Sequence, residues 1–251
     1  GAMLGGIGND TITVAPGGLA NYLNGDDGDD SVSNRAFVSS TVEGGIGNDT
    51  VTNFAGASAT EVSGFNGDDR VLNGGFVNAN LSGGAGNDSV VNFAGAFVSQ
   101  IYGESGSDTV VNGGYLLGSA WGGSENDIVV NLGGAQATNL YGEGGNDSVF
   151  NGGYLVGGLY GGLGNDTLVN SGVITGGGGM QAGTGSDSLV NSGTLNGGLF
   201  ISFGGAAASS GQMEGDNGDT LVNSGIITTS ELGIACLDTL AGPGCTLTNA
   251  S

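Results

Sequence analysis

Histidine is absent from this chain of 251 residues, and only Arg35 and Arg70 are basic against 24 acidic residues, a formal charge of −22. So few cations cannot meet nucleic-acid phosphates or an anionic membrane surface, and neither is expected as a partner. No apolar run is long enough to span a bilayer. Helix is disfavoured too: no stretch has a convincing helical period, and the 58 glycines oppose one. The only cysteines, Cys236 and Cys245, are too widely spaced for a zinc knuckle and have no histidine to assist them. A small disulfide loop there would suit an oxidising compartment, so an extracellular or bacterial cell-surface location is expected. Gly1-Ala2-Met3 reads as a protease scar joined to a cloned segment, and the missing leader therefore says nothing about export.

What the chain does have is one aspartate at regular intervals: Asp10, Asp30, Asp49, Asp69, Asp88, Asp108, Asp127, Asp147, Asp166, Asp187 and Asp219. Up to Asp166 the steps alternate strictly between twenty and nineteen, and the step to Asp187 is twenty-one. A period near twenty is one coil of a parallel β-solenoid, which sets equivalent residues above one another. The carboxylates then form a file spaced by about 4.8 Å.

Glycine stands five places before the aspartate in nine of eleven units, as in Gly44-Gly45-Ile46-Gly47-Asn48-Asp49 and Gly161-Gly162-Leu163-Gly164-Asn165-Asp166. Such residues permit positive φ and close approach of backbone to a ligand. Two places after the aspartate the residue is always aliphatic, from Ile12 and Val32 to Leu189 and Leu221. That suits the inner face of a strand. Four places after it, ten of eleven units carry asparagine, from Asn34 to Asn223. Those amides are read as a ladder that satisfies turn backbone.

Pairs such as Phe37-Val38, Phe76-Val77, Tyr115-Leu116 and Tyr154-Leu155 mark a second strand, and Leu23, Val42, Val62, Leu81, Ile101, Leu140, Leu159 and Met180 a third. The expected fold is all-β: a right-handed parallel β-helix (a β-solenoid) running from 4 to 228, in about eleven coils that each take up one aspartate step. A loop insert is placed near 202–212, because the step from Asp187 to Asp219 is about a dozen positions longer than one coil. The segment 229–251 is read as a cap or linker containing the Cys236–Cys245 bridge. Alternate units differ, and Phe37, Phe76, Tyr115 and Tyr154 recur at one fixed interval of two coils, so the working unit is a pair of coils. One ion shared by two successive turns would explain that pairing.

Carboxylates stacked at strand spacing repel by about 1 kcal/mol per pair in water and several times that at lower dielectric. Over the whole file this rivals the stability of a domain. Ca²⁺ removes the cost, because it accepts six to eight carboxylate and carbonyl oxygens in irregular geometry, whereas Mg²⁺ demands a strict octahedron. All eleven aspartates are therefore candidate ligands for several calcium ions. The competing reading is that aspartate and its neighbouring asparagine merely support the turns.

The Gly-Gly-x-Gly-x-Asp-x-aliphatic-x pattern resembles the RTX nonapeptide, the calcium-binding repeat of many type I secreted bacterial proteins. That family carries two such turns per coil, and here only one turn per coil matches. The other half, as in Val169-Asn170-Ser171-Gly172-Val173-Ile174, resembles autotransporter passenger β-helices. The resemblance implies calcium and export. It leaves unit seven, with Glu125 for a turn glycine, and unit ten, with Ala182, less regular than the rest.

Three functions compete. A calcium-stiffened rod, the structural or adhesive segment of a secreted or surface protein, would fold on meeting calcium outside the cell and present a surface to a host or matrix glycan or protein. A polysaccharide-modifying β-helix enzyme, or a module of one, would need positioned acid and base groups. The carboxylates instead form a repeating column, so an enzyme is not expected. An ice-binding rod needs a regular file of hydroxyls, and Arg70 and Ile128 interrupt the one that runs from Thr11 to Thr220. Tyr102, Trp121, Tyr141 and Tyr160 either stack on sugar rings from an outer face or make aromatic stacking contacts within the core or over the turns.

Overall fold

The computed structural model describes residues 1–196, 201–203, 212–214, 220–228, 235–237 and 246–249. It is a parallel β-solenoid, and among the described residues there is no helix. Each coil contributes three strands, exemplified by Ser31–Asn34, Phe37–Val38 and Thr41–Ile46. Strands of the first kind make one ladder of twelve. The other two kinds merge into one sheet where Phe76–Ala85 and Phe97–Ser105 run through the corner between them.

Register is set by a β-period that turns alternate residues inward. Val32, Val51, Val71 and Val90 pair in file on the first face, Leu23, Val42 and Val62 on the third, and all are fully buried. Ala20, Val38, Ala59 and Val77 fill the second wall. A coil this thin can bury those residues only against its neighbours.

The two-coil period has a steric cause at two corners. At the glycine turn, Gly45, Gly84, Gly123 and Gly162 alternate in file with Asp26, Phe65, Glu104 and Glu143, and every one has positive φ. A Cβ on Gly45, Gly84, Gly123 or Gly162 would strike the carbonyl oxygen of Asp26, Phe65, Glu104 or Glu143 in the coil before. At the asparagine corner, the first, third, fifth and seventh coils insert a hydrogen-bonded turn, as from Ala57 N–H to the Phe54 carbonyl at 2.9 Å. The next coil answers with a glycine, since a Cβ on Gly75 would strike the Ala57 and Phe54 oxygens. Paired coils are thus shaped to each other.

These positions make a test. Left-handed backbone costs a side chain about 1–2 kcal/mol, part of which glycine returns as unfolded-state entropy. Phe65→Gly is therefore expected to raise the denaturant midpoint by about 0.5–1 kcal/mol of stability. Gly84→Ala, blocked by backbone, should lower it by more than about 3 kcal/mol.

The ladder extends beyond Thr228. Thr246–Asn249 pairs with Thr220–Asn223, which puts Leu247 and Asn249 in register with Leu221 and Asn223. Cys245 precedes that rung where the other units have aspartate. Near the insert, Gln212–Glu214 pairs with Ala235–Leu237 in a separate small sheet. The core of the insert, Asp219 and the Cys236–Cys245 bridge lie outside the described residues.

Candidate functional site: the aspartate corner

The strand that begins just after each aspartate pins the carboxylate at the corner, and the side chain folds inward. From Asp30 to Asp187 these groups are no more than 3 % exposed. One oxygen is committed to the fold. The Asp30 backbone N–H donates to Asp49 Oδ1 at 2.7 Å, Asp49 to Asp69 at 2.7 Å, and Asp108 to Asp127 at 2.7 Å. The same bond runs from Asp10 to Asp187.

The second oxygen is different. Oδ2 of Asp10, Asp30, Asp49, Asp69, Asp88, Asp108, Asp127, Asp147 and Asp166 is buried and accepts no hydrogen bond. A Cβ on Gly25 would strike both Asp30 Oδ2 and the Gly44 carbonyl oxygen of the next coil, and Gly103 stands in the same relation to Asp108 and Gly122. The glycine five places before the aspartate therefore makes room for that aspartate's own carboxylate and the next coil's carbonyl. Acceptors face acceptors along the file.

The charge balance reflects this. Burial, less the relief from the preceding aspartate's N–H, pushes the carboxyls of Asp49, Asp88 and Asp147 up to about 6. With neighbouring carboxylates adding to burial, Asp69, Asp108, Asp127 and Asp166 rise to about 7.

Two other ladders flank the file. The asparagine column is as the repeat suggests: Asn34 Nδ2 donates to Asn53 Oδ1 at 2.8 Å, and the chain continues through Asn191 to Asn223. Val14 opens this column, paired with Asn34. The residue just before the aspartate forms a ladder of its own. Asn48 N–H donates to Asp29 Oδ1 at 2.9 Å, Asp68 N–H to Asn48 Oδ1 at 2.8 Å, and Asn87 N–H to Asp68 Oδ1 at 2.7 Å. It points opposite to the aspartate ladder and is exposed. Recurrent Asn or Asp at that position was the available signal. Where Glu125 replaces the turn glycine, it adopts φ 73° and its carboxylate accepts the Gly106 N–H at 2.9 Å.

An all-oxygen set containing an unpartnered buried anion suits a hard cation by its chemistry. Each rung supplies one carboxylate oxygen and one nearby carbonyl, and among the described residues no three acidic side chains converge on a point. An ion would have to draw on more than one coil.

The hydroxyl file is broken in space as in sequence, since Thr50, Arg70 and Ser89 are register partners, as are Thr109, Ile128 and Ser148. Tyr102, Trp121, Tyr141 and Tyr160 occupy one outward column of the third face. They stack on one another, with centroids 4.7, 5.7 and 4.6 Å apart and interplanar angles of 6°, 8° and 15°. Their inner ring faces are taken, so a sugar could not lie flat along the column. Compared with protein families, curated proteins and solved structures, the chain matches none.

Proposed function

We propose that the chain is a calcium-stiffened extracellular rod, the structural or adhesive segment of a bacterial secreted or surface protein. The observation that carries this reading is the contrast between two neighbouring columns. An asparagine ladder closes on itself, because each amide both accepts and donates. The aspartate column has an acceptor where the amide would donate, and nine buried oxygens are left without a donor. Asparagine in the file would remove the fault at no cost in size. Aspartate makes sense where positive charge is supplied from outside.

Calcium bound to this file would supply that charge and with it folding free energy. Oδ2 of successive aspartates and the stacked glycine carbonyls are the groups that would hold it. Low calcium inside a cell and high calcium outside would then couple rigidity to export, in keeping with an acidic chain that resembles exported repeats. No catalytic role is proposed.

Asp108→Asn tests the reading at one rung. Without metal the variant should gain about 1–2 kcal/mol, because a buried unsatisfied anion becomes a closed amide. With millimolar calcium the gain should vanish or reverse, and calorimetric titration should find fewer bound ions. Unchanged calcium stoichiometry and stabilisation would refute the metal reading.

A further inference from the structure

Among the described residues, four of the five non-glycine residues with positive φ are acidic: Asp26, Glu104, Glu125 and Glu143. Glycine fills the equivalent turn position at Gly84, Gly123 and Gly162 without strain, so glutamate at 104 and 143 is retained against a backbone cost of about 1–2 kcal/mol each. Residual strain of this kind points toward function. Each glutamate lies two places beyond an outward ring, Glu104 after Tyr102 and Glu143 after Tyr141. Glu104 is steadied by the Ser82 hydroxyl, which donates to its Oε1. The result is a half-buried aromatic ridge with carboxylates beside it every second coil, on a rod whose net charge is −22.

We infer that the strip from Tyr102 to Tyr160 is a docking surface for an extended protein segment in the polyproline II conformation with a basic residue at every third position. Charge selects the basic residues, because the glutamates have no cationic partner among the few this chain owns. Spacing selects the conformation. Two rungs put Glu104 and Glu143 about 9.6 Å apart, and polyproline II repeats every three residues with a rise of about 9.3 Å. Every third side chain of such a segment faces the same way, so one ammonium or guanidinium meets each glutamate in turn. Ring edges and phenol oxygens supply the aromatic wall on which proline-rich segments commonly rest.

Trp121 is the only tryptophan and lies inside the strip, so its emission reports occupancy. The experiment titrates the protein, in calcium, with the peptide (Arg-Pro-Pro)₄ and with a peptide of equal composition in which the arginines are clustered. The evenly spaced peptide should shift the Trp121 emission and bind about tenfold more tightly than the clustered one. Glu104→Gln with Glu143→Gln should weaken binding about tenfold. Asp27→Asn with Asp29→Asn, which removes the same charge at exposed positions in the second coil, should leave it unchanged. Equal binding of the two peptides, insensitivity to the glutamate changes, equal loss in the two double variants, or a silent Trp121 would each overturn the inference. None of these readings depends on where the calcium lies.

Discussion

In chelator at pH 8 the chain is expected to lose its cooperative β-sheet melting transition, to regain it on addition of millimolar calcium, and to regain it without metal near pH 5. The reason is the sign of the carboxyl shifts. The aspartates from Asp49 to Asp166 are raised to about 6 or 7 by burial and by one another, against an unfolded value of about 3.9. A group raised in the folded state stabilises fully below its unfolded pKa and loses that contribution as pH climbs through the folded one. Metal-free stability should therefore be greatest at and below about pH 4, fall between about pH 4 and 7, and change little above that. Every tenfold change in a carboxyl's proton affinity on folding corresponds to about 1.4 kcal/mol, so seven coupled groups reach the scale of a whole domain's stability.

Calcium acts on the same oxygens and should matter most where protons are gone. The stabilisation it confers should grow from little at pH 5 to decisive at pH 8. Circular dichroism melts across that range, with and without chelator, measure both arms. A melting temperature indifferent to pH and calcium would show that the file is neutralised by solvent alone.

Asn112→Asp should be among the most damaging single substitutions in the rod. Asn112 Nδ2 donates to Asn131 Oδ1 at 2.8 Å and to the Gln136 carbonyl at 3.0 Å, while its Oδ1 accepts from Asn92 at 2.8 Å and from Gly114 N–H at 3.2 Å. The residue is fully buried. Aspartate preserves the shape and inverts the donor, so two acceptors then face a buried anion. With about 1–3 kcal/mol for each unsatisfied group, and more for a charge, a loss of about 4 kcal/mol or more is expected by denaturant melting. Asn112→Ala should cost less, because it removes bonds without adding charge. If Asn112→Asp were tolerated, the asparagine ladder would not be carrying the corner.

Much of this was legible because a solenoid writes its third dimension into its period. A regular aspartate step, an aliphatic residue two places past each aspartate and an asparagine four places past it locate the first face, its inward side and its polar ladder. Two things escaped. The rung Thr246–Asn249 is invisible to a pattern keyed on aspartate, because Thr-Leu-Thr-Asn keeps the rest of the repeat behind Cys245. Nor does the first turn glycine's conformational freedom reveal that the space beside it holds the aspartate's own carboxylate and the next coil's carbonyl.

By itself, then, the sequence determined the parallel β-solenoid, its inward columns and the file of carboxylates, since repetition at one coil length leaves stacked identical residues no other neighbours. Only the tertiary structure decided how each carboxylate divides its two oxygens, one bonded to the backbone of the preceding coil and one left buried without a donor. It also decided why coils come in pairs, because a glycine is obligatory only where the carbonyl of the coil before stands in the way. Both depend on the separation and tilt of adjacent backbones, distances that no pattern of residue types encodes.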